Sequence, residues 1–392
     1  MSAIAPSNTD VTISITEPGF FNQPDYYDVL ARLRAEAPVF NSEPNTWLVT
    51  CYDDIRAISR DTAHFSSHNG VLINDPARTG PLMEGSILHM DPPEHAEYRR
   101  VVSREFTPRS TVAMEAQVER IVNDVFDAAP QGEEIDFIRH IAMPIPVRVI
   151  ADLLGVADTE LDEFHKWSDA MIEVSDNPSA EAMQLAGEFF GFVNTRVKER
   201  KVTPGDDLIS LLVQTDLTKN EVVGFCMSLL VAGNETTRHL LTMGAHALAL
   251  NPDQRAALAA GGDMHAAVEE LLRWVTPIQA FGRTATSDVA VGGTTIPAGD
   301  FAVMLYASGN RDESVFGATA NVLDVTRPPS PTHVAFGFGE HNCLGAPLAR
   351  MEARMAFEQL LRRFPEYEVA ADPVMTNSTL VRGAHEMKVI LK

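Results

Sequence analysis

One stretch of the chain is more specific than any other: Phe336-Gly337-Phe338-Gly339-Glu340-His341-Asn342-Cys343-Leu344-Gly345-Ala346-Pro347-Leu348-Ala349-Arg350. Its glycines surround a cysteine and leave the backbone free to approach something flat and bulky. After Cys343 the sequence predicts a helix start, with Pro347 in the first turn. A sulfur at a helix N-terminus faces unpaired N–H groups and the positive end of the dipole, which favour thiolate over thiol.

A thiolate held by backbone donors is a soft axial ligand for haem iron. The alternative is that Cys343 is a small buried hydrophobe, as a lone cysteine in a long chain usually is. The pattern Phe-Gly-x-Gly-x-His-x-Cys-x-Gly followed by Leu-Ala-Arg favours the ligand, because it resembles the haem-binding signature of the cytochrome P450 family at every fixed position. The resemblance implies haem b with Cys343 as the iron ligand and with Phe336, His341 and Gly345 beside the ring. It also implies a mainly α fold with small β-sheets, a triangular prism that holds the haem between a long central helix and the helix after the cysteine loop.

The bulk composition fits a globular enzyme. The 392 residues are 45% hydrophobic, and 31 Lys+Arg against 54 Asp+Glu give a net charge of −23. This acidity argues against nonspecific nucleic-acid binding, which needs a basic face. The cysteines, Cys51, Cys226 and Cys343, are too few for a disulfide framework and fit a reducing compartment.

Neither a signal peptide nor a run of about 18 apolar residues is present, so we expect a cytoplasmic protein without a membrane anchor, similar to the bacterial members of the family. We expect residues 1–392 to form one domain, a monomer, with residues 1–20 as a loose N-terminal arm.

Local patterns place the elements around the motif. They predict helices over 26–37 and 52–59 and from residue 92, mostly helix over 110–275, and strands at 46–50, 289–291, 301–305 and 387–391. Residues 66–88 lack periodicity and contain several Gly and Pro, so we predict a long, functional loop there.

A long central helix is predicted from the capping box of Thr218 and Glu221 to Leu250, before Asn251-Pro252. Its apolar first half ends at Gly233-Asn234-Glu235-Thr236-Thr237, and polar residues in a core helix suggest a functional site. The alternative is a kink that faces internal water. The stretch resembles the family's oxygen-activation motif, which implies that Thr236 holds a water or oxygen and that Glu235 relays protons from solvent.

Charged residues elsewhere resemble the family's anchors for the two haem propionates. They are His95, Arg99, Arg283 and His341. Each alone is more typical of an ordinary surface charge. Glu270, Arg273 and Arg327 resemble the structural Glu-x-x-Arg pair and its third partner, a scaffold for the thiolate loop. The sequence departs from the family at Phe316–Leu323, where relatives often carry an acidic-Pro step and a Phe, which leaves the local geometry open.

The substrate pocket is expected between the 66–88 loop, the central helix and the segment after residue 276. Candidate walls are Val71, Leu72, Val231, Ala232, Phe281 and Leu380, with Gln279 as one polar contact. A mostly apolar lining implies a lipophilic substrate, a terpenoid, steroid, fatty acid or aromatic compound. The resemblance implies monooxygenation with O2 as co-substrate, most simply hydroxylation.

The sequence has no flavin or nicotinamide fingerprint, so electrons must come from a separate ferredoxin (2Fe–2S or similar) and its reductase. A basic face near Cys343 would suit an acidic ferredoxin, although a solvated helix face is an equal alternative. The arginines of this face are Arg99, Arg100, Arg104, Arg109, Arg350, Arg354, Arg362 and Arg363. A peroxide-using haem enzyme and a noncatalytic haem sensor are weaker hypotheses, because neither needs the proton relay of Glu235 and Thr236.

Overall fold

A computed structural model describes residues 15–17, 19–75, 85–176 and 179–392, with only the backbone described at 108 and 172–176. Helices dominate. They are α1 (Tyr26–Glu36), α2 (Tyr52–Arg60), α3 (Glu94–Val102), α4 (Pro108–Ala113), α5 (Glu115–Ala128), α6 (Pro144–Leu153), α7 (Leu161–Asp176), α8 (Ala180–Val202), α9 (Leu208–Leu212), α10 (Lys219–Leu250), α11 (Pro252–Ala259), α12 (Met264–Val275), α13 (Tyr306–Gly309), α14 (Glu313–Phe316) and α15 (Ala346–Arg363). In this part of the chain, no helix is long and apolar enough to cross a membrane.

The strands are short and form four small sheets. They are β1 (Val39–Glu43), β2 (Thr46–Val49), β3 (Phe65–Ser66), β4 (Glu134–Asp136), β5 (Ala280–Ala285), β6 (Val289–Val291), β7 (Thr294–Ile296), β8 (Phe301–Leu305), β9 (Glu368–Val369), β10 (Val374–Met375), β11 (Ala384–Glu386) and β12 (Lys388–Ile390). The largest has the order β1-β2-β8-β5-β3, and its β2 and β8 run parallel while its other pairs are antiparallel. The mainly α fold with small sheets is confirmed.

The central helix α10 has the predicted length of 32 residues. Its capping box is formed: the Thr218 hydroxyl accepts from the Glu221 N–H at 3.2 Å, and the Glu221 carboxylate accepts from the Thr218 N–H at 2.6 Å. The helix packs against α6, α7, α8, α12 and α15, so it forms the axis of the helical core. Its side chains contribute to the two largest apolar clusters.

The N-terminal arm is shorter than predicted. Ile15 and Phe20 are buried against β8 and α1 in a cluster that includes Tyr26 and Phe301. In the sequence Val11, Ile13 and Ile15 alternate with polar residues, and the prediction of a loose arm overlooked this signal. Residues 1–14, and residues 76–84 of the predicted long loop, lie outside the described residues.

Candidate active site

The cysteine loop is held by its own backbone and by a neighbouring helix. The Cys343 N–H donates to the Phe336 carbonyl at 2.8 Å, which closes the loop. Gly339 has φ +73°, and a Cβ there would overlap the backbone carbonyl of Ser59 at the end of α2. Only glycine tolerates both the positive φ and the close approach to the Ser59 carbonyl. Helix α15 begins at Ala346 directly after the loop, as the sequence predicts.

The Cys343 side chain is exposed, although protein atoms surround it on most sides. This combination is expected of a group that faces a concave space. Burial raises the pKa of the Cys343 thiol, and the N–H groups of Gly345 and Ala346 lower it by a smaller amount. The donors at the helix N-terminus therefore act in the predicted direction, but burial outweighs them. A metal cation bound to Cys343 would supply what is missing, since a coordinated thiol loses its proton.

One face of α10 is exposed or partly exposed, although most of the helix centre is buried. Ala232 is exposed, and Leu229 and Thr236 are partly exposed, whereas Asn234 and Glu235 are buried. These open positions are three and four residues apart and share one face of the helix. This corrects the expectation that the whole first half is buried. An open stripe at the centre of a core helix indicates an internal space beside it.

Glu235 has two basic neighbours on its own helix. The Glu235 Oε1 atom lies 3.9 Å from Arg238 Nη2 and 3.7 Å from His239 Nε2. Next to it, the Thr236 hydroxyl donates to the Ala232 carbonyl at 2.8 Å. The acid and the hydroxyl are thus adjacent, one buried and one facing the internal space. Neither Arg238 nor His239 was predicted, although their spacing from Glu235 is visible in the sequence.

The four predicted anion anchors converge from three separate segments. The rings of His95 on α3 and His341 in the cysteine loop lie 4.2 Å apart between centroids. Arg99 donates to the Asn342 carbonyl at 2.6 Å, and the buried Arg283 on β5 donates to the Gly282 carbonyl at 2.7 Å.

Burial and mutual repulsion depress the pKa values in this group. The pKa of His95 falls to about 4, first through burial and then through Arg99 and Arg283. The pKa of His341 falls to about 2, again first through burial and then through Arg283, His95 and Arg99. Burial also lowers the pKa of both arginines.

No carboxylate neutralises this cluster within the described residues, since none of its four members forms an ion pair there. The nearest acid that acts on it is Asp91, whose carboxylate accepts from the Ser66 hydroxyl at 2.5 Å and the Ser67 N–H at 2.8 Å. The buried His95 Nε2 has no hydrogen-bond partner in this part of the chain. Buried cations need a counter-charge, so the cluster fits an anionic ligand.

A buried ion network supports the cysteine loop. Glu270 accepts from Arg273 at 2.6 and 2.7 Å and from Arg327 at 3.0 Å. The carbonyls of Ala320 and Val322 accept from Arg273 at 2.8 and 3.2 Å. Phe316–Leu323, the segment that departs from the family pattern, therefore still surrounds the Arg273 guanidinium. It does so with backbone carbonyls, and these contacts do not depend on side-chain identity.

The comparisons with known proteins agree with this geometry. The family model for cytochrome P450 matches residues 264–390. A steroid C26-monooxygenase of Mycolicibacterium smegmatis is 35% identical over 371 residues, which cover 91% of this chain and 90% of that protein. A methyl-branched lipid omega-hydroxylase of Mycobacterium bovis is 35% identical over 387 residues, with 92% and 89% covered. The chain belongs to the cytochrome P450 family.

The solved structures agree on the fold. The structure of Mycobacterium marinum cytochrome P450 CYP268A2 in complex with pseudoionone superposes with a TM-score of 0.88 at 35% identity, covering 99% of this chain and 100% of that one. The relatives are named monooxygenases and hydroxylases, so this chain is a cytochrome P450 monooxygenase. Membership implies a haem-thiolate cofactor with a cysteine ligand. The residues present fit it: the uncompensated cations suit the propionates, and a Cβ at Gly345 would meet only open space, as at the wall of a cradle.

Three predicted pocket residues of this P450 meet around β5. The Val71 carbonyl accepts from the Gly282 N–H at 2.7 Å, beside Phe281, and the Leu380 carbonyl accepts from the Gln279 N–H at 2.9 Å. Leu72 is partly exposed in the same loop as Val71, and Val231 is partly exposed beside Ala232 on α10.

Gln279 does not have the predicted role. Its side chain is fully buried and accepts from the Tyr26 hydroxyl at 2.9 Å, while its amide N–H group donates to the Thr276 carbonyl. Its polar atoms tie α1 to the end of α12, so no free polar contact is left for a substrate. In the sequence, a single polar residue among apolar ones looks the same whether its side chain lines a pocket or forms hydrogen bonds within the fold.

The predicted basic face is partly neutralised. Arg350 pairs with Glu269 at 2.5 Å, Arg354 with Glu115 at 2.8 Å, and Arg363 with Asp127 at 2.5 Å. The remaining exposed arginines without an ion pair in the described residues are Arg100, Arg104, Arg109 and Arg362. Any electrostatic attraction of an acidic partner rests mainly on these.

Proposed function

We propose that this P450 hydroxylates a lipophilic small molecule with O2, using haem b ligated by Cys343. The cluster of His95, Arg99, Arg283 and His341 carries the proposal. Haem b has two propionates, and this cluster lacks a counter-charge of its own. Two carboxylates would offset part of the burial cost and of the repulsion by the arginines that together depress the histidine pKa values, and would give the unpartnered His95 Nε2 an interaction.

The bound haem supplies dioxygen activation, which a thiolate ligand favours by pushing electron density toward iron. The chain's own residues would manage water and protons. Thr236 already donates its proton to Ala232, so its free lone pairs can accept a hydrogen bond from a water in the internal space. The buried Glu235 carboxylate beside it can pass protons inward, and the apolar wall of Leu229 and Val231 excludes bulk water.

The substrate class is supported by the lining and by the relatives. Phe281 and Leu380 are partly exposed and present apolar surface, and the polar atoms of Gln279 are occupied. One relative is named for a steroid, another for a methyl-branched lipid, and the similar structure holds pseudoionone. We propose a mainly hydrocarbon substrate with few polar groups, recognised by shape more than by hydrogen bonds.

Electrons would come from a ferredoxin and its reductase, with docking at Arg100, Arg104, Arg109 and Arg362. We propose that residues 1–392 work as one domain, since both large apolar clusters include residues of α10. We also propose a monomer in the cytoplasm.

The test uses Cys343→Ser in the haem-loaded protein. We expect the mutant to lose the red-shifted absorbance band of the reduced carbon monoxide complex, and retention of this band would end the ligand assignment. Three probes, a 3-keto steroid, a methyl-branched fatty acid and pseudoionone, are then titrated while the haem spin state is followed. Product with NAD(P)H and a ferredoxin system, but not with hydrogen peroxide, supports the proposal, and equal turnover with peroxide alone contradicts it.

A further inference from the structure

His239 is a fully buried histidine on α10, and neither ring nitrogen has a hydrogen-bond partner in the described residues. It lies one helical turn after Glu235, so the two side chains share a face. Its Nε2 atom is 3.7 Å from Glu235 Oε1, within ion-pair range but too far for a direct hydrogen bond. A buried N–H without an acceptor is destabilising, so this N–H is expected to have a partner.

The ring has no room to turn away from Glu235. Gly383, just before β11, packs directly on the Nδ1 side, and a Cβ there would overlap the imidazole. The Gly383 carbonyl is itself fixed by the Thr376 N–H at 2.8 Å. The C-terminal segment therefore presses the ring against α10 and leaves Nε2 as the atom that faces the carboxylate.

The surrounding groups form a larger polar cluster in this otherwise apolar core. Asn234 Oδ1 and Arg238 Nε are also buried without a partner in the part of the chain that the structure describes. Asn234 donates to the Ser168 hydroxyl on α7 at 2.5 Å, and the exposed Asp169 on α7 interacts with Arg238. Buried polar atoms that cluster in this way are usually bridged by ordered water.

We propose that His239 is a positioning residue for Glu235: its neutral imidazole donates from Nε2 to the carboxylate through one bridging water and holds Glu235 beside Thr236. The donor competes with Arg238, which draws the same carboxylate oxygen toward α7. Burial lowers the pKa of His239, which agrees with a neutral ring. This inference rests on the proposed role of Glu235 as the proton relay.

The balance between the two neighbours explains why a histidine suits this position. Arg238 lies on the side that leads through Asp169 to solvent, and His239 lies on the side of Gly383. A carboxylate held by Arg238 alone would turn toward the surface. With a second donor opposite, it stays where it can exchange protons with both the surface side and the Thr236 side.

The first test is spectroscopic and needs no turnover. Histidine is labelled with 15N in the haem-loaded ferrous carbon monoxide complex, which is diamagnetic, and the His239 signals are assigned by their loss in His239→Gln. We expect one neutral form protonated at Nε2 from pH 6 to pH 8, and a change of tautomer in Glu235→Leu. A ring whose tautomer does not respond to Glu235→Leu would overturn the proposal.

The second test compares His239→Leu with His239→Gln, because glutamine keeps a donor near the position of Nε2 while leucine only fills the space. With the probe that gives the largest spin-state shift, we expect His239→Leu to divert at least three times more NAD(P)H into hydrogen peroxide, at an unchanged probe dissociation constant. His239→Gln should retain more than half of the wild-type coupling. Equal coupling in the leucine variant, or equal loss in both variants, would refute the positioning role. If Thr236→Ala also leaves coupling unchanged, the proposed proton relay of Glu235 and Thr236 is wrong. The tautomer of His239 in Glu235→Leu still tests the contact between His239 and Glu235 independently.

Discussion

Glu352 provides a quantitative test of the packing around α15. Its carboxyl is 2% exposed in the apolar cluster between α10 and α15, and its Oε2 atom has no partner among the described residues. Burial raises its pKa from 4.5 to about 8, so the group is mostly protonated at neutral pH. The unfolded chain, in contrast, ionises this carboxyl freely above pH 4.5.

The sign of the effect follows from this difference. A raised carboxyl pKa in the folded state means that the folded protein keeps a proton that the unfolded chain releases. Stability is therefore full below pH 4.5, falls as the pH rises toward 8, and is flat above that. Each pH unit costs about 1.4 kcal/mol, so the carboxyl costs about 3 kcal/mol at pH 7 and the difference between pH 5 and pH 8 is about 4 kcal/mol.

Glu352→Gln removes the ionisation and keeps the shape. We expect the unfolding free energy of the variant to rise relative to wild type by about 4 kcal/mol between pH 5 and pH 8. The assay is urea unfolding of the haem-loaded proteins, followed by far-UV circular dichroism at equal haem concentration so that ligand binding contributes equally. The matched control is Glu358→Gln on the same helix, an exposed carboxylate paired with Arg354 at 3.3 Å. Parallel pH curves for wild type and Glu352→Gln, or the same slope in the control, would refute the reasoning.

Three further substitutions, one of them with a matched control, test the site and its scaffold. Thr236→Ala should uncouple turnover and release hydrogen peroxide instead of product, and an unchanged ratio of product to NAD(P)H consumed would contradict the relay. Gly339→Ala should lower the unfolding free energy by about 3 kcal/mol or more, because φ is +73° and the Cβ would overlap the Ser59 carbonyl. Gly132→Ala, with φ +74° but open space around it, should cost only about 1 kcal/mol in the same urea titration. Arg283→Met should speed haem loss to apomyoglobin about tenfold, since one charged hydrogen bond to a propionate is worth about 1.5–3 kcal/mol, and an unchanged rate would remove Arg283 from the anchors.

The elements that the sequence predicted well are those with local signals. Both ends of α10 came from the neighbouring residues themselves, a capping box at Thr218 and an Asn251-Pro252 step after the last turn. The pairing of Thr46 with Phe301 in the largest sheet had no such signal, because the partners are some 250 residues apart. Strands were therefore predicted one by one, but their order in the sheet was not.

Three of the errors share one physical cause, the burial of polar groups. At Cys343 the donors of the helix N-terminus are present, but desolvation outweighs them and reverses the expected pKa shift. At Gln279 the amide serves Tyr26 and Thr276. The Arg350 guanidinium, which the sequence suggested to be a free surface charge, is paired with Glu269. The pKa of Glu269 falls to about 2 because His333 and Arg350 bind its carboxylate. Sequence shows that a polar group exists, but only the fold shows what it contacts.

The cluster of His95, Arg99, Arg283 and His341 is the opposite case, because there the fold shows that no carboxylate pairs with these residues in the described part of the chain. Resemblance alone suggested that these residues belong together, since α3, β5 and the cysteine loop are far apart in the chain. Their convergence without a carboxylate is unfavourable for the protein by itself, as the depressed pKa values of both histidines indicate. Most of the arginines around α15, in contrast, are matched with acids or amides. Two arginines left without an acid in the described residues, in a chain with an excess of 23 negative charges, are best explained by a ligand that brings its own carboxylates.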